Sequence, residues 1–158
     1  MIFLSKSARY NVYPTPCASD IWTVGLLNKL KKMVKDQAKL STTHEVAARF
    51  HELSQQEKWF DIQDELFSED VKSIDPPGSP YFGNAEGKAT VRRKGADFVG
   101  RVEAFHGGST SAPLVCGNHF AVGREVDITI KPHGRIQLKE IMLYEVKDGK
   151  IVLEQFFY

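Results

Sequence analysis

Apolar residues recur three and four apart through the first two thirds of the chain and alternate with polar ones through the last third. From Asp20 onward, Ile21, Val24, Leu27, Leu30 and Val34 keep helical spacing opposite Lys29, Lys31, Lys32 and Lys35. Thr42 and Glu45 form a capping-box pattern, and Val46, Phe50, Leu53 and Glu57 then fall on one helical face. Trp59, Ile62, Leu66 and Phe67 predict a second short helix. Residues 70–75 alternate partly and stop at Pro76-Pro77-Gly78, as a strand entering a turn does. Tyr81 to Glu86 reads as loop. Val91, Gly95, Phe98, Val102 and Phe105 predict a third, long helix ended by Gly107-Gly108.

Residues 115–131, 135–146 and 151–158 are rich in β-branched and aromatic side chains, so they predict three strands. Lys147-Asp148-Gly149-Lys150 is a hairpin turn, and Pro132-His133-Gly134 is the turn before it. Helices first and strands last require the sheet to bury one face under the helices. Long antiparallel strands curl. The expected fold is therefore α+β: a cone-shaped, curved antiparallel meander on about three helices, enclosing a pocket at its wide end.

Alternation also says which polar groups share the inner face. Glu140, Met142, Tyr144 and Val146 form one set on their strand. Asn118, Phe120, Val122, Arg124, Val126 and Ile128 form the more apolar set on the preceding one. His119 falls on the outer set. The implied constellation is Asp75, Asn118, Arg124, Glu140 and Tyr144, on walls from Phe50, Trp59, Phe98, Val102 and Met142. Arg124 and Glu140 would need each other or a ligand, since unpaired buried charge is costly. They read either as a structural ion pair or as part of a proton-transfer site on a carbonyl compound. Tyr81-Phe82 reads as a lid, and Phe156-Phe157-Tyr158 as completing the sheet or entering an interface.

Composition narrows the field. The 158 residues are 42% hydrophobic and carry 21 basic and 20 acidic side chains, a net charge of +1, so no global field favours nucleic acid or acidic membranes. No Cys-x-x-Cys or His-x-x-x-His spacing suggests a metal, and no apolar stretch is long enough for a secretory or membrane segment. A cytoplasmic protein needing no cofactor is the expectation. Cys17 and Cys116 leave one bridge open as a possibility. Residues 1–40 read as an extension, loop plus basic helix. It is either an added helix packing on the domain or on a partner, or a stretch upstream of a true start at Met33. Residues 41–158 read as the domain.

Three motifs carry a resemblance. They are Leu66-Phe67-Ser68-Glu69-Asp70-Val71, the Gly87-Lys88 helix start, and the run from Tyr144 to Val152 closing on Glu154-Gln155-Phe156-Phe157-Tyr158. With the order of elements, they resemble the nuclear-transport-factor-2-like superfamily and its SnoaL-like members. The superfamily hosts isomerases, cyclases, dehydratases, binding proteins and association domains, so the resemblance implies the fold more than the chemistry. Within it, ketosteroid isomerase places its general base where Asp75 stands, before Pro76-Pro77. Asp75 reads as that base or simply as the start of a proline turn. The isomerase's tyrosine and protonated aspartate correspond to Phe50 and Met142, which donate no hydrogen bond to an oxyanion. Steroid isomerisation by that mechanism is not expected.

The resemblance implies a small hydrophobic molecule in the cone, and joined to the alternation it makes Asp75 and Glu140 the catalytic candidates. Arg124, Tyr144, Asn118, Trp59, Phe50, Met142 and Tyr81 would contact the molecule. It also implies a homodimer through the sheet. The alternative is a non-enzymatic ligand-binding or dimerisation module.

Overall fold

The computed structural model describes residues 42–158; the basic helical pattern of residues 20–34, Met33 and Cys17 lie outside the described residues. Thr42 closes the predicted capping box, its hydroxyl accepting from the Glu45 amide at 3.2 Å while the Glu45 carboxylate accepts from the Thr42 amide at 2.9 Å. Helix α1 (Thr43–Ser54) follows and buries Val46, Ala47, Phe50 and Leu53. It stops short of Glu57, which lies in the turn before α2 (Trp59–Leu66) with a left-handed φ of 54°.

Phe67 begins strand β1 (Phe67–Ile74) rather than ending a helix. After the two-residue β2 (Ala85–Glu86), helix α3 (Lys88–Val99) packs chiefly on β1.

The predicted long third helix is corrected here. It stops at Val99, and Val102–Thr110 is instead a strand, β3, paired antiparallel with β5. Val102 and Phe105 continue the helical spacing by coincidence, and pairing with a neighbouring strand overrides it. Two register shifts interrupt β3, and a Cβ on Gly108 would lie 3.0 Å from Arg124 Nη2 and 3.1 Å from the Glu125 carbonyl oxygen. The glycine that reads as a helix stop is thus a point of close strand approach.

Strands β4 (Leu114–Cys116), β5 (His119–Ile130), β6 (Gly134–Lys147) and β7 (Lys150–Phe157) complete a curved, unclosed seven-stranded sheet. The order is β2-β1-β7-β6-β5-β3, with β4 also on β5. The predicted hairpin is present, with Asp148 and Gly149 both at positive φ as a two-residue turn requires. The sheet is mixed rather than wholly antiparallel, because β1 runs parallel to β7.

Under the concave face lies one core. Phe50 from α1 meets Phe120 and Tyr144 at ring-centroid distances of 5.3 and 4.7 Å. Ile62, Leu66, Val71, Val91 and Ile151 close around them. Burial of such side chains stabilises by roughly 1.5–3 kcal/mol each, and it pins the helices across the sheet.

Candidate functional site

The site begins where β1 meets Pro76. Proline cannot extend the ladder, so the chain turns, and the Asp75 amide donates to Asn84 Oδ1 at 3.0 Å. The turn leaves the Asp75 carboxylate pointing inward, with its side chain only 1% exposed. Lys94, from the buried side of α3, makes a short contact with Asp75 Oδ2 and donates to Ser73 Oγ at 2.7 Å. Its ammonium also lies 5.1 Å from the ring centroids of both Phe82 and Phe156, a favourable arrangement for a desolvated cation. The Tyr158 hydroxyl donates to Asp75 Oδ1 at 3.3 Å and makes a short contact with Ser79 Oγ.

Two more carboxyls face this group. Glu154 on β7 stands opposite Ser73 in the parallel register and is buried. Burial pushes its pKa up to about 7, against the opposing pull of the Ser73 hydrogen bond and Lys94. Burial likewise raises Glu140 to about 7, only partly offset by the charge of Arg124, and Asp75 and Glu154 push it further up. Desolvation disfavours the charged form of a carboxyl, so both groups hold protons near neutrality.

A partly open cavity of about 120 Å³ lies between α2, α3 and the sheet. Trp59, Phe67, Phe82, Met142 and Phe156 supply its apolar walls. Gln63, Lys94, Tyr144 and Glu154 supply its polar ones. Of the residues predicted from sequence, Trp59, Met142 and Tyr144 therefore line it. Asp75 adjoins it through Lys94. Phe50 is buried in the core behind it, and Phe98 packs instead on Phe82, with ring centroids 4.5 Å apart. Tyr81 sits in the loop above Asp75, its ring 6.0 Å from that of Tyr158 and 5.3 Å from that of His133.

Two expectations are corrected. Asn118 is exposed and donates to Glu145 Oε1 at 3.1 Å, away from the cavity. It lies in the turn before β5, where strand alternation does not reach. Arg124 does point inward, but its ion-pair partner is Glu57 rather than Glu140. Two hydrogen bonds of 2.7 and 2.8 Å join it to the Glu57 carboxylate, and a third of 3.2 Å reaches Thr110 Oγ1. The Trp59 indole donates to the same carboxylate at 2.7 Å, and its ring lies 4.8 Å from the guanidinium carbon. Burial alone would raise the Glu57 carboxyl, but these hydrogen bonds outweigh it and hold it below its ordinary value. Glu140 stays beside Arg124 as its cross-strand neighbour, with no hydrogen bond among the described residues.

Sequence reasoning missed Lys94, Glu154, Tyr158, Gln63 and Glu57. For Lys94 a signal existed: it lies three residues after Val91 and four before Phe98, an amine on the apolar side of a helix. Glu154 was hidden by a register shift between β6 and β7 beside Glu145 and Val146, which turns both Ile151 and Glu154 inward and breaks simple alternation.

Among the described residues, no cluster of three or more His, Cys, Asp or Glu could hold a metal ion, and no helix is long and apolar enough to cross a membrane. Cys116 is exposed and has no disulfide partner among them.

The sequence model of the SnoaL-like domain matches residues 41–158. A crystal structure from Mesorhizobium loti, described as a candidate SnoaL-like polyketide cyclase and carbohydrate phosphatase, is 34% identical. The match covers 74% of this chain and 99% of that one, with a TM-score of 0.70. A nuclear-transport-factor-2-like protein of unknown function from Burkholderia pseudomallei is 15% identical over 73% of this chain and 89% of its own, with a TM-score of 0.60. A protein of ketosteroid-isomerase-like fold from Catenulispora acidiphila, crystallised with trimethylamine, is 16% identical over 61% and 72%, with a TM-score of 0.52. The last two likenesses show the fold alone. No curated protein matches the chain. The family match, the 34% identity and the helix-under-sheet architecture agree, and the chain belongs to the SnoaL-like domain family of nuclear-transport-factor-2-like fold.

Proposed function

We propose that this protein holds a small hydrophobic molecule in the cone and moves a proton on it without a cofactor, as an isomerase, cyclase or hydrolyase would. The observation that carries this reading is a near-neutral carboxyl, Glu154, and an ammonium, Lys94, on the walls of one apolar cavity. A general base works best when its pKa lies near the working pH. In its ionised form Glu154 takes a proton from a carbon beside a carbonyl. The electron pair moves to the carbonyl oxygen, and the Lys94 ammonium steadies the enolate. Glu154 then returns the proton to carbon. Asp75 acts one step back in this reading, as the positioning residue that holds Lys94. Glu140 is a second near-neutral carboxyl at the Arg124 end.

Hydrogen–deuterium exchange at the α-carbons of cyclopentanone in D2O, followed by NMR, tests this. The wild-type chain should accelerate exchange above background, and Glu154→Gln should lower that acceleration by about 10²-fold or more. Exchange at the background rate with wild type would overturn the catalytic reading. Binding of the ketone without exchange would favour the alternative, a ligand-binding module. That second reading is supported by Phe50 and Met142, which offer no donor to an oxyanion.

With the first reading goes a pairing of two copies through the outer sheet face. Leu114, Ile141 and Phe157 are exposed there by 76%, 55% and 47%, and Ile141 and Phe157 are direct cross-strand neighbours. Contiguous exposed apolar side chains of this kind mark interfaces. Sedimentation should give a dimer, and Ile141→Lys should give a monomer; a wild-type monomer would refute the pairing.

A further inference from the structure

Resting on the cone as a small-molecule chamber, the polar atoms left unused on its walls narrow the occupant. The Gln63 carboxamide makes no hydrogen bond among the described residues, and its Oε1 is buried without a partner. The Tyr144 hydroxyl, on a residue only 1% exposed, has the Met142 thioether at 3.8 Å as its hydrogen-bond acceptor, a weak one. Buried polar groups are almost always paired, and each exception calls for a missing partner. Among the described residues Gln63 Oε1 and Ser68 Oγ are the buried side-chain atoms without a partner, and Gln63 lines this cavity together with the weakly partnered Tyr144 hydroxyl.

Size sets the next limit. An engineered cavity of roughly 150 Å³ holds benzene. A chamber of about 120 Å³ therefore suits an occupant of about five or six non-hydrogen atoms. Polycyclic molecules exceed that volume. Charge sets the third limit. Lys94 is already paired with Asp75, so an anionic occupant would enter a largely apolar space without a free counter-ion, at high cost. A neutral one is favoured.

A carboxamide offers a donor and an acceptor side by side, and its two ends interchange by a half-turn of the side chain. Its best complement is a group with the same pair on adjacent atoms. We infer that the cavity selects a small neutral amide, open or cyclic, whose N–H and C=O pair with the Gln63 carboxamide while its hydrocarbon part packs on Met142 and Phe156. Gln63 is then the residue that sets specificity, and the Tyr144 hydroxyl is a further donor to the ligand carbonyl.

The test titrates the whole chain, by NMR chemical shift, with three five-membered rings of equal heavy-atom count: 2-pyrrolidinone, cyclopentanone and methylcyclopentane. The lactam should bind roughly five- to tenfold more tightly than the ketone, the effect of one additional buried hydrogen bond. In Gln63→Leu, and in Gln63→Met should the first variant fold poorly, the lactam should fall to the level of the ketone while methylcyclopentane binds as before. Equal binding of the three rings by wild type, or a lactam preference that survives both substitutions, would overturn the inference and leave the chamber standing. Failure of all three rings to bind would overturn the chamber itself, and the inference with it.

Discussion

Replacing Lys94 with Met should destabilise the protein by about 3–5 kcal/mol, the usual cost of stranding one member of a buried ion pair. Asp75 is the stranded group, and its side chain is 1% exposed, whereas that of Lys94 is 14% exposed. Methionine fills most of the space between Phe82 and Phe156, so the lost charge dominates over lost packing. The double variant Lys94→Met with Asp75→Asn should recover much of the loss, because the asparagine carries no charge and can still accept from Tyr158. Denaturant titrations of wild type, both single variants and the double variant give the coupling directly. Additive losses across the cycle would show that the pair is not energetically joined.

Stability should also fall as pH rises from about 4.5 to 7. Glu140 and Glu154 have folded pKa values near 7 against an ordinary value of 4.5. Across that window the native state therefore binds more protons than the unfolded state. Linkage then makes stability decrease with pH, and the contribution is lost once pH passes the folded values. For Glu154 alone the change is on the order of 3 kcal/mol. A different group acts below this window: Arg135 holds Asp127 down at about 2, so its contribution is present above its ordinary 3.8 and disappears towards pH 2. A stability maximum near pH 4.5 is expected. Glu154→Gln should flatten the upper limb and raise stability at pH 7.5. A flat profile from pH 4.5 to 7 in urea would contradict the burial argument.

Much of this architecture was legible because local signals agreed with one another. The Thr42–Glu45 capping box, the Asp148–Gly149 turn and the alternation from Phe120 to Val146 each have a local physical cause, and each recurs in the structure. The errors have causes too. Val102 and Phe105 fit a helical period as well as a strand, and only the presence of β5 alongside decides between them. Alternation turns Arg124 and Glu140 inward together, and they are indeed cross-strand neighbours. The actual counter-ion, Glu57, comes from a turn 67 residues away in sequence, and no spacing rule reaches it. For the same reason Asp75 could be singled out from its proline while its partners Lys94 and Tyr158 could not.

The parallel pairing of β7 with β1 also governs how the chain can reach its native state. The last strand lies in the middle of the sheet, between β1 and β6, so β1 joins the other long strands through β7. The contact from Tyr158 to Asp75 closes a sequence separation of 83 residues. Such distant closures slow folding, because the entropy of loop closure is lost before the contacts form. Lys94 and Asp75 therefore meet Glu154 and Tyr158 only where β7 docks on β1. Until β7 docks, the side of β1 that faces it is an unpaired edge, open to pairing with another chain.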